Sequence, residues 1–250
     1  MKDLLSKTIL KWSETLHKEC LPHISIDCVV FGFHNNSLKI LLLELIRENT
    51  WSLPGGYIKK VENMDDAAHR ILQERTGVRD IFLNQFKTFG KFHRSEGFFK
   101  EFDDSFWLKQ RFISVGYYAL IDYTSVTVRN DEFSHSSKWI DVSKTPTLMM
   151  DHNQIFQEAL AQLRRDLNYK PIGLNLLPEK FTMPELQKLY EAILGKKLNR
   201  GNFFRKMKRY GILTKLEETR KGGAHKAPDL YCFNLEVYNK ALENGLQENW

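Results

Sequence analysis

The sequence predicts an α+β chain: an α/β/α sandwich followed by a basic winged helix-turn-helix. Three observations carry this. Apolar, β-branched runs alternate with an inserted helix in the first part of the chain. A proline-bearing stretch without a strong period, Asn168–Glu185, then interrupts the pattern. Beyond it, from Phe181 to Leu235, twelve basic residues face five acidic ones, a local excess of +7 against +6 for the whole 250-residue chain. The rest of the protein is therefore near neutral, and the concentrated charge points to a polyanionic partner.

The elements follow in order. Leu5, Ile9, Trp12 and Leu16 recur at helical spacing, so the N-terminus reads as an amphipathic helix that packs on the domain or serves as a dimer arm. It lacks a signal-peptide core, and no long charge-free apolar run follows, so neither secretion nor a membrane span is expected. Cys20, Cys28 and Cys232 are far apart and form no CxxC, which fits a reducing, cytoplasmic location without a zinc site. Ile24–Phe33 and Ser37–Leu45 are strands around the polar turn His34–Asn36, a hairpin. Asn63 starts a helix that Gly77 stops, with Asp65 and Asp66 at its positive end. Phe112–Tyr123 and Ser136–Val142 read as further strands, and Asp151–Leu167 as a second helix. Gly90–Lys109 is an aromatic and charged insertion, readable as a pocket lid or as an oligomer contact.

One stretch has fixed spacing. Gly56 is followed after five residues by Glu62 and after seven more by Arg70, then Leu72, Glu74, Gly77 and Val78. This resembles the Nudix box, the loop–helix–loop of metal-dependent phosphoanhydride hydrolases. In that family three glutamates at i, i+3 and i+4 share one helix face and hold magnesium or manganese through hard oxygen ligands. Here those positions are Ile71, Glu74 and Arg75. Isoleucine cannot ligate, and arginine carries a permanent positive charge. The resemblance therefore implies a retained scaffold, held by Gly56, Glu62, Arg70 and Gly77, with lost catalysis and neither metal nor cofactor. The competing reading is an active hydrolase of ADP-ribose or a nucleotide sugar, with a site rebuilt from other carboxylates.

The C-terminal segment reads piece by piece. Thr182 and Glu185 form a capping box with Pro184 in the first turn; Leu186, Leu189, Tyr190 and Ile193 give the apolar face, and Gly195 ends the helix. Asn199 or Asn202 starts the next helix. Phe203, Met207 and Tyr210 form its buried face, Arg205, Lys206, Lys208 and Arg209 fall off that face, and Gly211 is the stop. Two strands follow, Ile212–Thr219 and Asp229–Asn234, joined by the basic loop Arg220–Pro228. A second helix sized for the major groove and a basic wing make a DNA reader. Its expected contacts are Arg200, Asn202, Arg205, Lys206, Lys208 and Arg209 on the helix and Arg220, Lys221 and Lys226 on the wing.

With both halves in view, the chain resembles the Nudix-related transcriptional regulators, bacterial proteins that join a Nudix-like effector domain to a C-terminal winged helix. The stretches KPIGLNLLPEKFTMPELQKLYEAILG, NFFRKMKRYGIL and LYCFN resemble that family's linker and DNA-binding domain; RFISVGYYALI and MMDHNQI resemble its effector core. The family includes regulators of NAD biosynthesis and of arabinose use, and the linker is closer to the sugar branch. The resemblance implies a ligand-responsive regulator that binds a double-stranded operator as a homodimer. Its effector would be a pentose or ADP-ribose-like molecule, near Arg111, Ser114 and Tyr117. The expected division is a helical arm over 1–22, the effector domain over 23–168, a linker over 169–180, the winged helix over 181–240 and a tail over 241–250.

Overall fold

The structure, a computed structural model, describes residues 2–46, 50–79, 81–126, 134–220 and 227–246. The chain falls into two compact units: Met1–Phe31, Ile40–Leu120 and Ser125–Ala159 form one, and Gly32–Lys39, Ile121–Thr124 and Leu160–Trp250 the other.

The first unit is built on a mixed sheet. Helix α1 (Lys2–Glu19) leads into strand β1 (Cys20–His34), which turns into β2 (Ser37–Leu45). Asn35 and Asn36 stand at φ 50° and 58°. Two consecutive left-handed residues are what a two-residue hairpin turn requires, and asparagine tolerates them. Strands β3 (Trp51–Ser52), β4 (Gly55–Lys59), β5 (Phe82–Phe89), β6 (Ile113–Leu120) and β7 (Ser134–Asp141) complete the sheet. Its order is β3-β2-β1-β6-β5, with β4 also paired to β1 and β7 to β2. The central pair, β1 and β6, runs parallel with Asp27 beside Gly116 and Cys28 beside Tyr117. Val29, Val30, Phe31, Tyr118 and Ala119 are fully buried, because helices cover both faces of this pair. On one face the Tyr117 hydroxyl donates to Asp65 of α2 (Met64–Thr76) at 2.6 Å. On the other, Phe31 packs on Phe156 of α3 (His152–Asp166). This is the expected sandwich. The short strands β3 and β4 and the strand β5 are additions to the sequence-based reading.

The insertion between β5 and β6 folds into two short 3-10 turns, Glu96–Phe99 and Trp107–Lys109. Phe106, Trp107, Leu108 and Phe112 are buried there, and Ile9, Trp12 and Leu16 pack against them. Helix α1 is thus a packing helix, the first of its two expected roles.

In the second unit β8 (Phe181–Thr182), β10 (Asp229–Phe233) and β9 (Leu213–Thr219) form a three-stranded sheet in the order β8-β10-β9. Helix α4 (Met183–Leu194) starts with the complete Thr182–Glu185 capping box and stops at Gly195, φ 69°. Helix α5 (Arg200–Tyr210) is capped by Asn199, whose side chain accepts from the Asn202 amide, so Asn202 lies inside the helix rather than starting it. Phe203 and Met207 are buried, and Phe203 meets Tyr190 edge-to-face at 5.3 Å. A further helix, α6 (Leu235–Asn244), runs through the stretch read as the end of the domain and a tail. Asn234 caps it, and its Tyr238 packs on Phe233.

Candidate effector cavity and nucleic-acid interface

The Nudix-like segment keeps its scaffold. Arg70 Nε donates to Glu62 Oε2 at 2.9 Å and Nη2 to Oε1 at 2.6 Å, a two-pronged pair. Arg70 Nη2 also reaches the Tyr57 carbonyl at 2.9 Å, and the Lys59 amide donates to Glu62 at 2.7 Å. The clamp ties the loop after β4 to α2. The Arg70 guanidinium holds the Glu62 carboxyl below its usual range.

The ligand positions are a different matter. Ile71 is 2% exposed, and its Cδ1 and Cγ1 fill the space where a side chain on Gly56 would stand, 3.0 Å from an added Cβ. Gly56 thus lets the loop close onto an apolar plug. Glu74 is 59% exposed at its side chain and turns toward Arg70, 3.4 Å away. Arg75 lines the cavity described next. A divalent cation requires two or three hard oxygens converging on one point. This face offers a methyl-terminated plug, a carboxylate already shared with Arg70 and a guanidinium, so the donor set does not fit the metal. Among the described residues no group of three or more His, Cys, Asp or Glu is placed to hold one elsewhere.

Beside α2 lies a cavity of 370 Å³ with two chemically distinct halves. The polar half is a buried network. Arg94 of the insertion, 3% exposed at its side chain, donates from Nε and Nη2 to Asp151 at 2.8 and 2.7 Å and from Nη2 to Asp27 at 3.1 Å. Ser114 donates to Asp27 at 2.6 Å. The Leu53 amide donates to His152 Nδ1 at 3.1 Å, so the ring proton sits on Nε2, which faces Asp27 at 3.5 Å. Burial pushes the His152 imidazole below its ordinary value and keeps it neutral. The apolar half comprises Ile9, Trp12, Tyr57, Phe99, Phe102, Leu108 and Phe112, all members of the cluster under α1. Arg94, Ser95, Phe98, Phe99, Glu101, Phe102 and Leu108 of the insertion therefore line the cavity.

The three residues expected at the effector fall out differently. Ser114 is fully buried and reaches the cavity through Asp27. Tyr117 is three positions on, so strand alternation sends it to the α2 face, where it bonds Asp65 and Gln85. Arg111 is exposed, donates to the Gly90 carbonyl and lies 5.4 Å over the Phe92 ring. Neither Tyr117 nor Arg111 belongs to the cavity wall. Arg75 and Arg94, which do, were not among the residues expected at the effector. Arg75 was visible as a charge reversal in the box; Arg94 has no local signal, because its partners are 57 and 67 residues away.

On α5, Arg200, Asn202, Arg205, Lys206, Lys208 and Arg209 are all exposed while Phe203 and Met207 face inward. Asn202 accepts from Arg205, and Lys206 and Lys208 lie over Tyr210 and Phe204 at 5.5 and 4.9 Å. Arg220, at the base of the wing, pairs with Glu185 of the α4 capping box. Lys221 and Lys226 lie outside the described residues.

A Nudix sandwich with an ill-fitting metal face, followed by a winged helix with a basic second helix, defines a regulator-type Nudix protein. Residues 21–161 match the NUDIX domain model and residues 173–233 that of the NrtR DNA-binding winged helix domain. The chain belongs to the Nudix family and, with that second domain, to its transcriptional regulators. It is 29% identical over 225 residues to the ADPR responsive transcriptional repressor NtrR of Acinetobacter baylyi, covering 87% of this chain and 84% of that one. The crystal structure of Shewanella oneidensis NrtR is similar with TM-score 0.71 and 27% identity over 91% of this chain and 100% of that one. The same protein complexed with a 27mer DNA gives TM-score 0.70 and 25% identity over 91% and 99%.

Proposed function

We propose that this chain is a transcriptional repressor that releases its operator on binding ADP-ribose, and that its Nudix domain senses the ligand without hydrolysing it. The observation that carries the reading is the α2 face: Ile71 plugs the loop against Gly56 and Arg75 takes a cavity position where a metal-binding carboxylate is needed. The A. baylyi relative is named as ADPR responsive, which favours ADP-ribose over a free pentose. The cavity is consistent with that choice, since aromatic side chains, Arg75 and the Arg94–Asp27–Asp151 network line it together, suited to a base and a polar ribose diphosphate.

DNA contacts are assigned to Arg200, Asn202, Arg205, Lys206, Lys208 and Arg209, exposed along α5, with Arg220, Lys221 and Lys226 on the wing. A homodimer presenting two such helices to a pseudo-palindromic operator in the cytoplasm completes the reading. Fluorescence anisotropy on promoter fragments from the source genome tests it. Expected are sequence-selective binding, loss of binding on adding ADP-ribose, indifference to arabinose, and a two-subunit mass in sedimentation. Turnover of ADP-ribose with magnesium or manganese that Glu74→Gln abolishes would restore the hydrolase reading.

A further inference from the structure

The Nudix domain match begins at residue 21, yet the cavity wall begins at Ile9 and Trp12 of α1, upstream of it. Aromatic side chains from α1, β4, the insertion and the residue just before β6 line this one cavity. Trp12 meets Tyr57 edge-on with centroids 6.0 Å apart, Tyr57 meets Phe112 at 5.3 Å, and Phe99 and Phe102 extend the surface from the insertion. Trp12 is only half-buried, while its neighbours Trp107 and Phe112 are sealed in the cluster. Of the cluster's two indoles, Trp107 is enclosed and Trp12 keeps part of its surface open beside the cavity. The same cavity is also lined by Asp27, Arg75, Arg94 and Glu101.

We propose that α1 and the 94–108 segment form a nucleobase subsite, and that Trp12 is the residue that makes the cavity prefer a nucleoside diphosphate sugar over the sugar phosphate alone. A purine is flat, apolar on its faces and matched to an indole by stacking. The phosphate and ribose groups belong on the side lined by Arg75, beside the Arg94–Asp27–Asp151 network. The specificity of the sensor is thus supplied by two segments at the margin of the Nudix fold, one preceding it and one inserted into it. The proposal rests on the reading of this domain as an ADP-ribose sensor.

The test is calorimetric titration of the full chain with ADP-ribose and, separately, ribose 5-phosphate. Wild type is expected to bind ADP-ribose more tightly. Trp12→Ala is expected to lose roughly tenfold or more for ADP-ribose, as for removal of one base–aromatic stack, and to keep its ribose 5-phosphate affinity within about twofold. Trp12→Phe is expected to recover most of the loss. Equal weakening toward both ligands means a merely structural role for Trp12 and overturns the proposal, as does unchanged ADP-ribose affinity in Trp12→Ala. Wild type that binds neither compound overturns the sensor reading itself, a result distinct from either.

Discussion

Replacing Arg94 with methionine tests whether the buried network fastens the insertion to the sheet. The wild-type side chain is 3% exposed and makes three hydrogen bonds, to Asp151 at 2.7 and 2.8 Å and to Asp27 at 3.1 Å. Methionine fills much of the same volume but leaves Asp27 and Asp151, 10% and 13% exposed, facing each other without a cation. Removing one partner of a buried ion pair costs about 3–5 kcal/mol, because the remaining charge stays desolvated. At about 2–4 °C per kcal/mol for a domain of this size, the transition of the Nudix unit should fall by roughly 6–20 °C. Differential scanning calorimetry reads it, with the winged-helix transition as internal reference. Arg94→Lys should fall in between, since an ammonium keeps the charge but cannot fork to two carboxylates. A drop below about 2 °C for Arg94→Met, on the same conversion, would refute the network as an anchor.

Other expectations follow from single contacts. Glu62 has its carboxyl depressed by the Arg70 hydrogen bond, below the ordinary 4.5. Its contribution is therefore complete above that unfolded value and lost as pH falls through the lower folded one. The stability gap between wild type and Glu62→Gln should be flat from pH 6 to 8 and close in acid, by chemical denaturation; a gap that widens in acid would contradict the clamp. Met207, 1% exposed on α5, should cost about 2–5 kcal/mol as Met207→Ala, seen in the winged-helix transition only. Replacing Arg205 and Lys206 together by alanine should weaken operator binding and flatten the log–log salt dependence by about 2. An unchanged slope would place the phosphate contacts elsewhere.

Much of this architecture follows from residues close in sequence. The Thr182–Glu185 capping box, the glycine stops at 77, 195 and 211 and the apolar face Phe203–Met207 are local patterns, and each forms where its spacing places it. The exchange of carboxylates for Ile71 and Arg75 is equally local, because one helix face is fixed by its 3.6-residue period. Helix α6 and strands β3 and β4 were less legible: β3 has two residues and β4 opens on two glycines, so neither carries a clear alternation, and both form because a neighbouring strand supplies the hydrogen bonds.

The cavity was beyond the sequence altogether. Its polar half joins Asp27, Arg94, Ser114, Asp151 and His152 from two strands, the insertion and the start of α3. Its aromatic half joins α1 to a segment some ninety residues later. Tyr117 shows the limit: sequence proximity placed it with Ser114, and strand alternation put the two on opposite faces of the sheet. Sequence alone determined which residues stand at the ligand positions of the Nudix helix and where the basic charge is concentrated, since both are written in consecutive turns. Only the tertiary structure decided which side chains face the cavity, because that depends on strand pairing and on long-range packing that no local period encodes.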